Sequence, residues 1–146
     1  MAITSAVANT FKTEILKAVH NFTASTGNTF NLALYTSSAT LSASTTAYSS
    51  SNEITNSSGT AYTAKGNALT SVTPVLDSST AVCDFADTSW TSASFTANGC
   101  LIFNDSISGD TAVCAIAFGG DKTVSSGTFT IQFPTADSSN AIIRIA

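Results

Sequence analysis

The chain carries one imidazole, His20, and nine carboxylates: Glu14, Glu53, Asp77, Asp84, Asp87, Asp105, Asp110, Asp121 and Asp137. A hydrolytic triad would need a serine and a carboxylate brought to His20. Serine is so abundant here that a match of residue types carries no weight. His20 lies four residues after Leu16 in a helical pattern, which gives it a structural or surface role. The closest acidic pair is Asp84-Phe85-Ala86-Asp87. A glycosidase sets two carboxyl groups across a cleft, whereas most aspartates here fall at strand ends and turns, where a short acceptor caps the backbone. No calcium-loop spacing of the EF-hand kind exists. Gly119-Gly120-Asp121-Lys122 lacks the Walker spacing and reads as a hairpin turn. No residue is therefore assigned a catalytic, cofactor-binding or metal-ligating role, and the chain is not expected to be an enzyme.

Cys83, Cys100 and Cys114 are odd in number and show no CxxC spacing. Cys100 and Cys114 could lie on neighbouring strands and pair. Each sits in an apolar run, so three reduced, buried thiols are expected, as in a protein made in the cytoplasm. Trp90 suits either the core, the commoner place for a lone Trp, or an exposed anchor for a partner or a sugar.

Composition narrows the classes further. Charged residues make up 10% of the chain, the net charge is −4, and Ser and Thr together fill roughly a third of the positions. The five cations, Lys12, Lys17, Lys65, Lys122 and Arg144, are scattered, which argues against nucleic acid as a partner. No apolar stretch approaches bilayer length, and the first residues have neither a basic nor an apolar signal region, so no membrane partner and no export signal are expected. Nine Phe and three Tyr recur along the length, which disordered chains lack.

The elements that would position these side chains follow from periodicity. Phe11, Ile15, Leu16, Val19 and Phe22 recur at helical spacing, predicting an amphipathic helix over about 5–22, with Thr10 as its N-cap, Glu14 favoured by the helix dipole, and Gly27-Asn28 as its end. The rest, about 29–146, reads as a β-domain, and the whole of 1–146 as one domain. Phe30, Leu32 and Leu34 alternate on a strand; 37–58 is an excursion with a short strand or helical turn near 45–48. Further strands are predicted at 68–73, stopped by Pro74, and at 81–85. Residues 92–104 form one strand with a bulge at Asn98-Gly99, in preference to a hairpin there. The last three strands are predicted at 111–118, 128–133 and 141–145. About eight strands and one N-terminal helix predict a mainly β fold, an antiparallel sandwich or barrel-like domain.

Several runs in this order resemble a family of small virion structural proteins of tailed bacteriophages. They are Phe11-Lys12-Thr13-Glu14-Ile15-Leu16, Ala33-Leu34-Tyr35-Thr36-Ser37, Thr45-Thr46-Ala47-Tyr48, Asn52-Glu53-Ile54, Tyr62-Thr63-Ala64, Asp84-Phe85-Ala86-Asp87 with Trp90, Phe118-Gly119-Gly120-Asp121, Phe129-Thr130-Ile131-Gln132-Phe133-Pro134 and Ala141-Ile142-Ile143-Arg144. The chain departs from the pattern at Lys65, where a second glycine is usual before Gly66, and at Cys100, where another small residue is usual. The resemblance implies a head decoration, or cement, protein on the outer capsid surface, self-associated as a homotrimer, bound to the major capsid protein and needing no cofactor. A tail, neck or fibre component is the alternative, and a carbohydrate-binding or host-adhesion module with Trp90, Tyr35, Tyr48 and Tyr62 exposed is a third reading. Phe11, Ile15, Val19 and Trp90 are the candidate interface residues.

Overall fold

In a computed structural model that describes residues 1–146, the chain forms eight strands and one helix, in the order β1 (Ala6–Val7), α1 (Asn9–Leu16), β2 (Phe30–Tyr35), β3 (Asn67–Ala68), β4 (Ser71–Asp77), β5 (Thr80–Phe85), β6 (Thr88–Asn104), β7 (Ala112–Ile131) and β8 (Ile143–Ile145). Two antiparallel sheets result, ordered β1-β7-β6-β2-β3 and β4-β5-β8. The mainly β, antiparallel architecture is thus as the periodicity predicts. Phe30 of the larger sheet lies 5.8 Å from Phe85 of the smaller, and Phe22 stacks on Phe30 at 4.3 Å with the rings 2° from parallel, so aromatic side chains fill the space between the sheets. The accessible surface, 7134 Å², agrees with the roughly 7000 Å² that size scaling gives for a compact monomer of this mass.

The helix is shorter than the predicted 5–22. Ala6 and Val7 pair with Ala115 and Cys114 of β7, which removes the expected first turn. Ala8 is the N-cap, without a side-chain cap bond, so Thr10 lies inside the helix. At the other end Ala18 takes a φ of 57°, outside helical geometry. The stripe is broken there: Leu16 is 87% exposed, and His20 and Phe22 turn inward on irregular backbone.

β7 joins two predicted strands into one of 20 residues. Between the pairs Ala97↔Lys122 and Gly99↔Ala117, β6 advances two positions and β7 five. The surplus residues of β7 make a bulge, not the predicted hairpin turn, with Gly119 and Gly120 at φ of 73° and 139°. Asn98-Gly99 stays within β6, as the bulged-strand reading had it. A Cβ on Gly99 would meet the Ile116 carbonyl oxygen at 2.6 Å, so only glycine fits between these backbones.

Pro74 does not stop its strand. β4 runs through it at the edge of the small sheet, with an irregular register between Val72 and Val75, where a missing N–H is tolerated. Residues 36–66 form the long excursion between β2 and β3. It holds no helical turn, only isolated bridges at Ile3↔Leu41, Ala47↔Thr111 and Tyr35↔Glu53.

Candidate functional site

An excursion of that length must satisfy its backbone and hold its position without a sheet ladder. It does so around one carboxylate. Glu53 is buried, and its Oε2 accepts a hydrogen bond from the Tyr48 hydroxyl at 2.6 Å. Its Oε1 accepts from the Tyr62 hydroxyl and from the Lys65 N–H, both at 2.7 Å. The Tyr62 oxygen in turn accepts from the Leu34 N–H of β2 at 2.9 Å, which ties the cluster to the large sheet. Tyr35 donates to the Ser49 carbonyl at 2.7 Å on the adjoining turn.

The electrostatics follow from this geometry. Burial first, then the hydrogen bond to Glu53, pushes the Tyr48 hydroxyl up to about 12. The same order of causes raises Tyr62, and burial followed by the Glu53 charge raises Tyr35. All three tyrosines of the chain are thus held neutral well past the usual phenol range. A carboxylate facing only donors, with neutral phenols beside it, is a positioning device without a nucleophile.

Lys65 extends the cluster. Its ammonium donates to Asp105 Oδ1 at 2.7 Å and Asp110 Oδ2 at 2.9 Å, and lies 5.7 Å from the centre of the Tyr48 ring. These hydrogen bonds raise the lysine above its ordinary range. Its backbone has a φ of 71°, followed by Gly66 at 67°. That geometry favours glycine. Here the side chain bridges the excursion to the 105–110 turn and offsets the backbone strain.

His20 belongs to a second closed cluster. Nε2 bonds Glu14 Oε2 at 2.7 Å, while Nδ1 accepts from Asn104 Nδ2 at 3.1 Å. Its side chain is fully enclosed, and the Phe11 and Phe22 rings flank it. Both ring nitrogens are occupied, so the imidazole has the structural role expected of it. No group of three or more His, Cys, Asp or Glu is placed to hold a metal ion, and no helix is long and apolar enough to cross a membrane.

The three cysteines are free and buried, as expected. Cys100 faces Ile116, and Cys114 faces Ile102, so the two thiols are diagonal neighbours on adjacent strands. Such positions stand about 7–8 Å apart, beyond the ~4.4–6.8 Å between α-carbons that a disulfide bridges. Burial pushes the Cys83 and Cys114 thiols up to about 12 and raises Cys100 well above its ordinary value.

The four candidate interface residues are not brought together. Phe11 and Ile15 line an apolar groove of about 130 Å³ between α1 and the small sheet, completed by Phe22, Cys83, Ile143 and Ile145 among others. Phe11 itself is only 3% exposed, so it is core and not a contact. Val19 is half-buried beyond the helix end, off the stripe that a longer helix would have kept. Trp90, 4% exposed, is also core: its ring is stacked 6.0 Å from Tyr62 and meets Phe95 and Phe129 edge-on. Periodicity did not reveal what the groove opens onto. Leu76, Ala81 and Ile145 form one row across β4, β5 and β8, with Leu76 71% and Ile145 57% exposed.

No protein-family model matches the chain, and neither a curated protein nor a solved structure matches it.

Proposed function

We propose that the protein is a structural component of a tailed-phage virion, and specifically a head decoration protein that binds the outer capsid surface and stabilises the shell. The observation that carries this reading is the convergence of separated runs on one cluster. Tyr35, Tyr48, Glu53 and Tyr62 come from four different runs of the resemblance, and they meet around the Glu53 carboxylate. Runs scattered in sequence but joined in space are what a shared architecture produces, and this cluster serves rigidity, not chemistry.

The surface supports the same reading. Hydroxyls are bonded in cross-strand pairs on the exposed side of the long β6–β7 hairpin, Ser89 with Thr130 and Thr96 with Thr123, each at 2.8 Å. A neutral, hydroxyl-rich exterior packs against copies or a shell with little charge to desolvate. Self-association as a trimer and contact with the major capsid protein are part of the proposal. A glycan-binding module gains no support, because Trp90, Tyr35 and Tyr62 are buried and leave no aromatic platform.

Mass spectrometry of purified virions, followed by localisation in the particle by cryo-electron microscopy, tests the proposal. Hundreds of copies over the capsid are expected. About six or twelve copies at the neck would favour the tail or neck reading, and absence from the particle would end both.

A further inference from the structure

Asn98-Gly99 is the one Asn-Gly step in the chain, and the fold holds its two residues from different sides. Gly99 is buried and pairs on both flanks, with Tyr35 of β2 and with Ala117 of β7. Its missing side chain makes room for the Ile116 carbonyl oxygen and for the Ile3 side chain, which a Cβ would meet at 2.6 and 2.8 Å. Asn98 is only half-buried. Its Nδ2 donates to Asp121 Oδ1 at 2.8 Å, beside the register step between β6 and β7. The glycine that the packing requires therefore follows an asparagine, the residue pair in which a side-chain amide is most open to attack by the next backbone nitrogen.

We propose that Asn98 is a deamidation site that the fold keeps silent and that reacts only when β6 parts from its neighbours. The chemistry is intramolecular and needs water alone. The Gly99 nitrogen gives its proton to solvent hydroxide and attacks Asn98 Cγ; the bond from Cγ to Nδ2 breaks, and ammonia departs to leave a cyclic imide. Water then opens the imide at either carbonyl. One opening gives aspartate at position 98, and the other gives isoaspartate, with the main chain rerouted through Cγ. Glycine permits the attack because no side chain hinders its approach. In the folded chain, pairing on both flanks fixes the extended backbone through this step, burial shuts Gly99 away from hydroxide, and Asp121 holds the leaving nitrogen. A single opening of β6 releases all three restraints. Neither product fits back. Isoaspartate adds a methylene to the main chain beside a glycine with no room for a Cβ, and aspartate sets a carboxylate against Asp121 where an N–H had been. The reaction thus marks a molecule that has opened and then prevents it from closing.

Incubating the full chain at mildly alkaline pH, in buffer and in urea, tests this, with conversion at position 98 followed by digestion, chromatography and mass spectrometry. An Asn-Gly model peptide in the same two solutions corrects for any effect of urea on the reaction itself. The corrected rate should be slower in buffer than in urea by at least about tenfold, because in buffer it waits on the opening of β6. When urea is diluted out, the chains that regain native circular dichroism should be depleted in isoaspartate relative to those that do not. A corrected ratio below about tenfold would overturn the inference, as would isoaspartyl chains that refold as completely as unmodified ones.

Discussion

Asn104 donates from Nδ2 to Nδ1 of His20 at 3.1 Å, and this bond fixes the ring tautomer: Nδ1 accepts, so the proton sits on Nε2 and is donated to Glu14. Asn104 is itself fully satisfied. Its second amide hydrogen goes to Asn28 Oδ1 at 3.1 Å, and its Oδ1 accepts from the Ser106 N–H at 3.0 Å.

Asn104→Leu should therefore cost about 2–4 kcal/mol, because it strands His20 Nδ1 in a buried place and removes the bonds to Asn28 and the Ser106 N–H. Denaturant unfolding with an unchanged m-value is the measurement. A loss below about 0.5 kcal/mol would mean that the cluster contributes nothing to stability.

Alkaline titration should be cooperative. Between the ordinary phenol value near 10 and about 12 for Tyr48, the unfolded chain has released a proton that the folded chain keeps. Bound protons are then fewer in the unfolded state, so stability falls as pH rises through this window and is untouched below it. Phenolate absorbance should stay flat at pH 10 and rise together with the loss of near-ultraviolet circular dichroism. A tyrosine that titrates near 10 in the folded protein would contradict this.

All three thiols should resist a disulfide reagent at pH 8 and react together in denaturant. A thiolate is the reactive species, and burial holds Cys83, Cys100 and Cys114 as thiols there. One fast-reacting equivalent in native buffer would place a cysteine at the surface.

Gly66→Ala should be among the most damaging single substitutions. A Cβ there would lie 1.8 Å from the Leu32 carbonyl oxygen, in backbone that cannot yield without moving β2, and at a φ of 67°. A loss above about 3 kcal/mol or failure to fold is expected. Gly59→Ala is the control, because its positive φ carries the same strain with open space around it.

Alternation made the β architecture legible. Phe30, Leu32 and Leu34 are buried as their spacing implies, but Asn31, Ala33 and Tyr35 are buried too, so this strand is covered on both faces where alternation predicts a half-buried one; the buried cysteines follow from their apolar runs. The helix is shorter than its pattern because the apolar spacing from Phe11 to Phe22 continues past Leu16, while the backbone turn at Ala18 leaves no mark in composition. The bulge at Gly119-Gly120, where the dipeptide predicts a hairpin turn, has the same origin: glycines permit a positive φ, yet whether it serves a turn or a bulge depends on the partner strand. The Glu53 cluster joins residues from Tyr35 to Lys65, most of them on a stretch without periodicity. The one signal available was a lone carboxylate and two of the three tyrosines amid Ser and Thr.

The pairing of Ala6 with Ala115 bears on how the chain reaches this fold during synthesis. About 110 residues separate the partners, so at roughly 5–20 residues per second the first strand waits some 5–20 seconds for a place to dock. β6 and β7 are joined by a short connection and can zip locally, while β2 must wait for β6, to which Phe30 pairs through Asn104. Assembly from the β6–β7 hairpin outward captures β1 and β2 after strands that are made later than they are, and the Phe11 to Phe30 aromatics stay uncovered until then.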